Sequence, residues 1–294
     1  MNDNIPKVTV CVVTYNHEKY IKECLESIVT QECNFDFEVI VGDDCSTDNT
    51  RAIVQEYANK YPNIVKSIFH EKNLGPQGNY FYIHNLAKGE YIAGIDGDDY
   101  ALPGKLQAQA DFMDKTPDCN ICFHRVKALF PDGTMKDDLI DYEKIKDGFE
   151  RKDLLMYMAV AANSSKMYRK EVKYFNIPAF DILDTYANIE QIKDKKAYFT
   201  NDKIYGVYRI NTGISSNSDK TKFLQLKLQK YLFEKYENLQ IYTSTSILIS
   251  FLANLKNFRK ISINYFILLL KTFCFKSIIL LIKNYRIIKM FRQP

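Results

Sequence analysis

Residues 37–48 read FEVIVGDDCSTD, an apolar run that ends in two carboxylates and is followed by side chains that cap helices. A short run rich in Val and Ile, without polar alternation, is typical of a strand buried on both faces of a sheet. Thr47 or Asp48 is suited to accept hydrogen bonds from the first turn of a helix, which we predict to run to about residue 61. The stretch therefore predicts a buried strand followed directly by a helix.

The same alternation continues on both sides of this stretch. Further buried strands are predicted at residues 7–14, 65–69 and 91–95, and helices at residues 18–30, 79–88 and 103–115. Strands that alternate with helices form a mostly parallel sheet covered by helices on both faces. The predicted fold class is therefore α/β with a Rossmann-like sheet, whose ligands bind beyond the carboxyl ends of the strands.

The rest of the chain is less regular and then becomes helical. We predict a strand at residues 121–130, a turn at 131–133, a helix at 184–194, a strand at 204–209 and helices from residue 222 onward. This pattern predicts one α/β domain over residues 1–220, with halves at about 1–125 and 126–220, and a helical tail over residues 221–294.

Polar side chains follow three of the predicted strands at the edge where ligands are expected. They are Thr14, Tyr15 and Asn16 after the first strand, Asp43 and Asp44 after the second, and Asp96, Asp98 and Asp99 after the fourth. Three carboxylates within four residues repel one another unless a cation lies among them, and Mg²⁺ and Mn²⁺ prefer such oxygen ligands. An aromatic ring can stack on a base, and a carboxylate can accept hydrogen bonds from a base or a ribose. The alternatives are polar turns, helix capping and an acidic surface turn.

Several active-site signatures are absent from the sequence. It has no GxGxxG or GxxxxGK[ST] phosphate loop and no GxSxG nucleophile elbow, which argues against dinucleotide dehydrogenases, P-loop NTPases and Ser–His–Asp hydrolases. The motif Cys119-x-x-Cys122-x-His124 could be half of a zinc site. It lacks a second cysteine pair and lies in an apolar stretch, so we predict that it packs in the core.

Charge is distributed unevenly along the chain. The formal net charge is +4, and residues 251–294 hold nine Lys or Arg and no acidic residue, which leaves residues 1–250 at −5. A mildly acidic domain does not predict nucleic acid as a partner, whereas the basic tail predicts contact with an anionic surface. Seven cysteines, mostly in apolar stretches, favour reduced thiols in the cytoplasm, and the opening MNDNIPKVTV lacks the pattern of a signal peptide.

The tail contains two largely apolar segments, residues 238–255 and 261–270, each without the ~20 continuous apolar residues of a spanning helix. Basic residues then recur among Phe, Ile and Leu. We predict amphipathic helices that lie on an anionic membrane surface. The alternative is a helical extension that packs on the domain or on a second copy of the chain, which would form a homo-oligomer.

Three segments together resemble glycosyltransferase family 2, whose members have the GT-A fold. They are VTVCVVTYNHEKYIKECLESIVTQ, FEVIVGDDCSTDNT and KGEYIAGIDGDDYALPGKL, and their order and spacing match the family over roughly residues 7–125. A weaker match extends to about residue 218 through NSSKMYRK and VYRINTGISS. The resemblance implies a GT-A fold, to which this chain adds a C-terminal helical extension.

The resemblance also implies a donor site at the strand ends. In the family, the positions that match Tyr15 and Asp44 hold the base of a nucleotide sugar, and the position that matches Asp98 binds the divalent cation, Mn²⁺ or Mg²⁺. Asp96 would lie near the ribose and the metal, and Asp99 would orient the motif. The predicted donor-binding residues are Thr14, Tyr15, Asn16, Asp43, Asp44, Asn79, Asp96 and Arg209, and the predicted metal ligands are Asp98 and Asp96.

The family inverts the anomeric centre, which requires a general base for the acceptor hydroxyl. The resemblance favours Asp184 as this base, with Asp181 as the second candidate, although Lys195 stands where relatives often have Gly. Either Asp could instead cap a helix. Relatives often have a His at the position of Asn211. The resemblance therefore does not indicate whether this protein supplies a third ligand to the metal. Residues 213–216 would form a loop that closes on the donor.

The expected function is transfer of a sugar, with a UDP sugar as the expected donor, to a hydroxyl of a glycan or lipid-linked acceptor in cell-surface polysaccharide synthesis. The expected location is cytoplasmic, peripheral on the inner face of the plasma membrane. One alternative is a sugar-nucleotide nucleotidyltransferase, which shares the α/β plan and an acidic metal site but releases pyrophosphate. The other is a non-catalytic, transferase-like scaffold that docks on the membrane.

Overall fold

The computed structural model of the protein describes residues 5–210 and 219–291. In these residues the strands are β1 (Val8–Thr14), β2 (Phe37–Asp43), β3 (Val65–Phe69), β4 (Tyr91–Asp96), β5 (Tyr100–Ala101), β6 (Cys119–Leu129), β7 (Met135–Asp137), β8 (Met167–Arg169) and β9 (Lys196–Arg209). The α-helices are α1 (Ile21–Val29), α2 (Thr50–Lys60), α3 (Gly75–Leu86), α4 (Lys105–Lys115), α5 (Arg151–Tyr157), α6 (Asp184–Gln191), α7 (Asp219–Lys235), α8 (Gln240–Lys256), α9 (Ser262–Thr272), α10 (Phe275–Lys283) and α11 (Tyr285–Met290).

The described strands form one sheet in the order β3-β2-β1-β4-β8-β6-β9-β5, with β7 paired to β6. Strands β3, β2, β1 and β4 pair in parallel. Strand β8 is antiparallel to both β4 and β6, and β6 and β9 are parallel. The predicted α/β class is confirmed, but the sheet is mixed: its N-terminal strands are parallel as the alternation with helices required, whereas β5, β7 and β8 pair antiparallel with their neighbours.

Alternating side chains of the central strands fill two cores, one on each face of the sheet. Val10 of β1 and Val39 of β2 are buried in one core, which α1, α2 and α4 cover. Cys11 of β1 and Ile40 of β2 are buried in the other. Burial on both faces is the physical reason that these strands are continuous apolar runs.

The second core also includes side chains from the C-terminal tail. Leu228 and Leu232 of α7, Ile249 of α8 and Ile288 of α11 are buried together with Phe149 and other side chains of the α/β domain. The helices of the tail therefore pack on the domain, as the alternative interpretation of the tail predicted.

Several element boundaries differ from the predicted ones. Helix α3 begins at Gly75, four residues before the predicted start, with Pro in its first turn. Helix α4 begins at Lys105 and not at residue 103, because Gly104 has a φ of 84° and ends the preceding turn. Helix α2 begins at Thr50, whose N–H donates to the Asp48 carboxylate at 3.0 Å, so Asp48 and not Thr47 satisfies this helix start.

The second half of the sheet was only partly predicted. Strand β9 begins at Lys196, eight residues before the predicted start, because its first residues pair with β6 through an irregular register. The two-residue strand β5 pairs with the far end of β9. Both features depend on contacts between segments far apart in the sequence, which local periodicity does not report.

The seven cysteines are all free thiols, as predicted. Cys119, Cys122 and His124 are buried in or beside β6, and the Cys119 thiol contacts the carbonyl of Ile121 at 3.1 Å. The predicted packing role of this motif is confirmed.

Among the described residues, no single helix is both long enough and apolar enough to cross a membrane. One pair of helices, Ser262–Thr272 with Phe275–Lys283, has the required length and composition together and is bent by 115°.

Candidate active site

The carboxyl ends of β1, β2 and β4 lie side by side and form the edge at which the predicted residues meet. In the register of the sheet, Thr14 of β1 is opposite Asp43 of β2, and Val13 is opposite Asp96 of β4. The N–H of Asp44 donates to the carbonyl of Thr14 at 3.0 Å, which extends the pairing past the strand ends. The register therefore brings the three polar segments together.

The segment after β1 is tied to the segment after β2. Asn16 has a φ of 55°, a conformation that Asn tolerates better than most residues. Its side-chain oxygen accepts hydrogen bonds from the N–H (2.8 Å) and the hydroxyl (3.3 Å) of Thr47, and its own N–H donates to the Ser46 hydroxyl at 2.9 Å. The side chain of Tyr15, which precedes Asn16, is 45% exposed. Asn16 thus shapes the turn, and the ring of Tyr15 is available to a ligand.

The two adjacent aspartates after β2 have different surroundings. Asp43 is fully buried, and one of its oxygens accepts from the Arg51 guanidinium at 2.6 Å and from the Ser46 N–H at 3.0 Å. The carboxylate of Asp44 accepts from the Leu74 N–H at 2.6 Å. Asp43 therefore anchors the start of the loop toward α2, and Asp44 holds the loop that precedes α3.

Asn79, predicted to lie near the donor, is a structural link. Its side chain is fully buried, its amide nitrogen donates to the Gly42 carbonyl at 2.7 Å, and its oxygen contacts the His70 ring nitrogen at 3.0 Å. Both polar atoms are used within the protein, so the side chain does not face a ligand. The prediction for Asn79 is corrected in this respect: it supports the edge of the sheet from below.

Asp96, Asp98 and Asp99 form a crowded acidic cluster after β4. Asp98 is 7% exposed and Asp99 is 1% exposed. Burial, followed by the neighbouring charge of Asp98, raises the pKa of Asp99 to about 7. Burial, followed by repulsion from Asp99, Asp184 and Asp98, raises the pKa of Asp96 well above its ordinary value. The cluster therefore resists carrying its full negative charge.

Asp184 belongs to the same acidic site, although it lies far away in the sequence. Its charge contributes to the raised pKa of Asp96. The Asp184 side chain is open to solvent, yet the surrounding protein raises the pKa of its carboxyl, and the Lys166 ammonium opposes that shift. Asp184 is the first residue of α6 and makes no capping hydrogen bond, since the N-cap is Leu183. The capping interpretation of Asp184 is therefore wrong.

Asp181, the second candidate base, lies on the surface. Its side chain is 67% exposed, and its carboxylate is 4.0 Å from the Lys220 ammonium. Of the two aspartates, only Asp184 contributes to the electrostatics of the acidic cluster as described.

Three polar residues beneath the cluster were not predicted. The Ser164 hydroxyl donates to the Asp99 carboxylate and accepts from the Asp96 N–H at 3.0 Å. The buried Lys105 ammonium donates to the Ser164 carbonyl at 2.7 Å. The buried Lys166 ammonium donates to the Gln191 side chain at 2.5 Å, and burial lowers its pKa to about 7. Ser164 and Lys166 lie in NSSKMYRK, so the sequence carried a signal for the segment but not for the roles.

Arg209 lies behind the cluster and joins it to α1. Its guanidinium donates to the Asp98 carbonyl and to the Glu23 carboxylate, and it lies between the rings of Tyr20 (4.9 Å) and Tyr100 (5.1 Å). The backbone N–H of Arg209 donates to the Asp99 carboxylate at 2.8 Å. Arg209 therefore contacts the acidic segment from the protein side and fixes its position. Asn211 and residues 213–216 lie outside the described residues.

The oxygen atoms of the cluster suit a divalent cation. In residues 5–210 and 219–291, no three His, Cys, Asp or Glu side chains already form a metal-binding group. Asp96 and Asp98 nevertheless supply the hard oxygen ligands that Mg²⁺ and Mn²⁺ take, and a cation would relieve the repulsion that raises the pKa of Asp96. The donor set fits such an ion, provided that a ligand such as a diphosphate completes its coordination.

A cavity of about 660 Å³ opens near the opposite end of the parallel strands, lined by residues that include Phe37, Glu38 and Lys66. The carboxylate of Glu38 in its wall is already paired, because it accepts from the Thr9 hydroxyl at 2.8 Å and from the Lys66 ammonium at 2.5 Å. The carboxyl edge, where unlike groups from three strands and α6 meet, is the better candidate site.

Comparison with known proteins gives the family. The model of "Glycosyl transferase family 2" matches residues 9–174, which is more than half of the chain. The "Putative teichuronic acid biosynthesis glycosyltransferase TuaG" of Bacillus subtilis is 27% identical over 236 residues, which cover 78% of this chain and 91% of TuaG. The chain spans about half the length of uncharacterized mycobacterial relatives that are 34% identical over 177 residues.

Two solved structures share the fold. Residues 1–349 of Staphylococcus aureus TarS, in complex with UDP-GlcNAc, superpose with a TM-score of 0.64 at 23% identity, over 82% of this chain and 71% of that one. The mannosyltransferase PcManGT of Pyrobaculum calidifontis, in complex with GDP-Man and Mn²⁺, gives 0.57 at 16% identity, over 97% and 81% of the two chains. At these identities the likeness establishes the GT-A fold alone. Because the matching family model spans the strands that carry the acidic edge, the chain belongs to glycosyltransferase family 2.

Proposed function

We propose that the protein transfers a sugar from a nucleoside diphosphate sugar, UDP-linked, to a hydroxyl of a glycan or lipid-linked acceptor, with inversion at the anomeric carbon. One observation carries the proposal: α6 brings the carboxylate of Asp184 into the electrostatic field of the acidic cluster after β4. A donor bound at the strand ends would thus have a general base on its acceptor side, and this base would come from α6 and not from the strands. Family membership favours this reaction over nucleotidyl transfer.

The donor would bind along the carboxyl edge of β1, β2 and β4. The exposed ring of Tyr15 is suited to stack on the base, and Asp44 lies beside it at the same edge of the sheet. UDP is favoured because the TarS structure holds UDP-GlcNAc. The PcManGT structure holds GDP-Man, so the experiment below tests which nucleobase the donor carries.

Asp98 and Asp96 would hold Mn²⁺ or Mg²⁺. When bound, such an ion stabilises negative charge that develops on a departing diphosphate. The role of this chain is to present two carboxylates whose mutual repulsion favours a cation, with Ser164 and Arg209 holding the segment in position.

In the transfer step, the acceptor oxygen would bond to the anomeric carbon while the bond from that carbon to the diphosphate oxygen breaks. The acceptor proton would move to the carboxylate of Asp184, and the nucleoside diphosphate would leave with the bonding electron pair. Asp184 is solvent-accessible, so it can later lose the proton to water. General bases of this kind contribute ~10²–10⁴-fold to the rate.

The acceptor class is proposed from the relatives. TuaG is named for teichuronic acid biosynthesis, and a Staphylococcus aureus relative, 41% identical over 110 residues, is named poly(ribitol-phosphate) β-N-acetylglucosaminyltransferase. These names support a role in cell-surface polysaccharide synthesis. A cytoplasmic enzyme, peripheral on the inner face of the plasma membrane, would meet such an acceptor where nucleotide sugars are made.

Calorimetric titration tests the donor site. UDP, GDP, CDP and dTDP are each titrated into the full chain with Mn²⁺ and with EDTA, and we expect UDP to bind and EDTA to abolish binding. Asp98→Asn should lose the metal-dependent part of the affinity, and Asp137→Asn, in the exposed strand β7, serves as a control variant. Metal-independent binding, or equal affinity in Asp98→Asn, would contradict the assignment of the metal ligands.

Product analysis tests the reaction. With a UDP sugar and a glycan acceptor, a glycosyltransferase releases UDP, whereas a nucleotidyltransferase forms or consumes pyrophosphate. Release of UDP with the opposite anomeric configuration in the product would support the proposal. Retention of configuration would contradict the role of Asp184 as a simple general base.

A further inference from the structure

Helix α9 is apolar on two opposite faces. One face packs against the neighbouring helices α7 and α8 of the tail, with Tyr265, Leu268 and Leu269 buried. The opposite stripe consists of Ile263, Phe266, Ile267 and Leu270, which are 48% to 69% exposed. Their spacing of i, i+3, i+4 and i+7 places them on a single side of the helix. A surface helix ordinarily presents charged or polar side chains there.

Helix α10 continues this pattern after the bend. Phe275, Ile279 and Ile282 repeat the helical spacing and are 78%, 63% and 71% exposed. The ring of Phe273 contacts the ring of Phe275 with their centroids 5.9 Å apart, which joins the two stripes at the bend. The seven stripe residues of α9 and α10, from Ile263 to Ile282, are termed the tail apolar face. Large exposed apolar side chains grouped in this way mark an interaction site.

Exposed cations accompany the tail apolar face. Lys271, Lys276 and Lys283 lie on or between the two helices and are exposed, and the sequence has no acidic residue after Glu237. A partner that covers this region must therefore be apolar and negatively charged. A second copy of the chain would bring the same cations together, which is unfavourable. An anionic bilayer surface satisfies both requirements.

We propose that the tail apolar face inserts into the interfacial region of an anionic lipid bilayer. Helix α9 has 11 residues and is about 16 Å long, and α10 diverges from it by 115°, so the two limbs suit a shallow position along the surface. The exposed lysines then contact the headgroups. The inference adds a defined surface to the membrane location proposed above, and its test does not depend on the donor or on the reaction.

Co-sedimentation with vesicles tests the proposal. The full chain is mixed with vesicles of phosphatidylcholine alone and with vesicles that also contain phosphatidylglycerol, and we expect binding to the anionic vesicles that weakens with salt. The double variant Phe266→Ser, Leu270→Ser should reduce the partition coefficient about 100-fold, because two large apolar side chains lose their insertion. The double variant Lys276→Gln, Lys283→Gln should reduce it about 30-fold, and only for anionic vesicles.

Leu139→Ser with Ile177→Ser is the matched control, because these side chains are 55% and 46% exposed but lie in the α/β domain. The control should bind as the wild type does. Equal binding by the Phe266, Leu270 variant would overturn the proposal. The proposal would also be overturned if the wild-type protein bound neither type of vesicle and formed a dimer that the Phe266, Leu270 variant did not form. A second copy of the chain would then cover the tail apolar face.

Discussion

Asp184 and Lys166 show how single side chains acquire their properties from the fold. The surrounding protein raises the pKa of the Asp184 carboxyl, and burial lowers the pKa of the Lys166 ammonium to about 7. Each charge partly offsets the shift of the other, because an opposite charge nearby favours ionisation. Below pH 7 Lys166 is therefore largely cationic and favours the ionised form of Asp184, the form that a general base requires.

Replacement of the base tests the proposed chemistry. Asp184→Asn should lower kcat by ~10²–10⁴-fold, because an amide cannot take the acceptor proton. Donor affinity should change little, since Asp184 lies on the acceptor side of the proposed site. Asp181→Asn is the control and should retain kcat, because its carboxylate lies on the surface beside Lys220. A loss confined to Asp181→Asn would reverse the assignment.

The pH dependence of kcat tests the coupling of the two charges. Activity should rise with pH as Asp184 loses its proton, with a midpoint above the ordinary range of carboxyls. Lys166→Met removes the cation that lowers the Asp184 pKa, so the acid limb should move to higher pH. Gln191→Leu removes the hydrogen-bond partner of Lys166 but keeps the cation, and should leave the limb closer to that of the wild type. An unmoved limb in Lys166→Met would mean that another group titrates.

Helix α3 and strand β2 meet at a close contact that supports the carboxyl edge of the sheet, where the donor is proposed to bind. The Asn79 side chain joins the Gly42 carbonyl to His70 and leaves no room above Gly42. A Cβ at Gly42 would lie 2.3 Å from the Asn79 oxygen and 2.5 Å from the Ile83 side chain, whereas a Cβ at Gly94 of β4 would have its nearest neighbours at 3.9 Å. The two strand glycines therefore differ in what they permit.

Urea unfolding of two alanine variants tests this contact. Gly42→Ala should reduce the free energy of unfolding by about 1–3 kcal/mol, because Asn79 and Ile83 must move. Gly94→Ala is the matched control, and we expect a change below about 1 kcal/mol, with a gain if the reduced entropy of the unfolded chain dominates. Equal effects of the two variants would show that the α3–β2 contact relaxes without cost.

The tail is part of the folded unit. Ile288 of α11 is 6% exposed and belongs to the core that includes Phe149, and the Phe291 ring contacts those of Phe149 (5.7 Å) and Tyr157 (5.5 Å). The same tail exposes the apolar face of α9 and α10. Its inner surface therefore stabilises the domain, while its outer surface is free for a partner.

Two isoleucines of the tail separate these roles. Ile288→Ala should reduce the free energy of unfolding by about 2–5 kcal/mol, because it leaves a cavity in the shared core. Ile282→Ala, at a side chain that is 71% exposed, should change it by less than about 0.5 kcal/mol. Urea unfolding measures both. A small effect at Ile288 would mean that the tail separates easily from the domain.

Much of the donor edge follows from local sequence. Val, Ile and Cys runs specify strands buried on both faces, and the acidic and polar residues that end these runs lie where parallel strands end together. Tyr15, Asp44, Asp96 and Asp98 could be placed at this edge for that reason. The same local signals did not reveal that the side chains of Asn79 and Asp43 are turned into the protein.

The amino-acid sequence by itself determined the α/β class, the acidic edge and the basic apolar tail, because each depends on patterns within short segments. Only the tertiary structure decided that Asp184 joins Asp96, that Arg209 supports the acidic segment from behind, and that one face of α9 stays uncovered. These outcomes depend on which distant segments pack together. Side-chain packing and strand register set such contacts across the whole chain, and no local period encodes them.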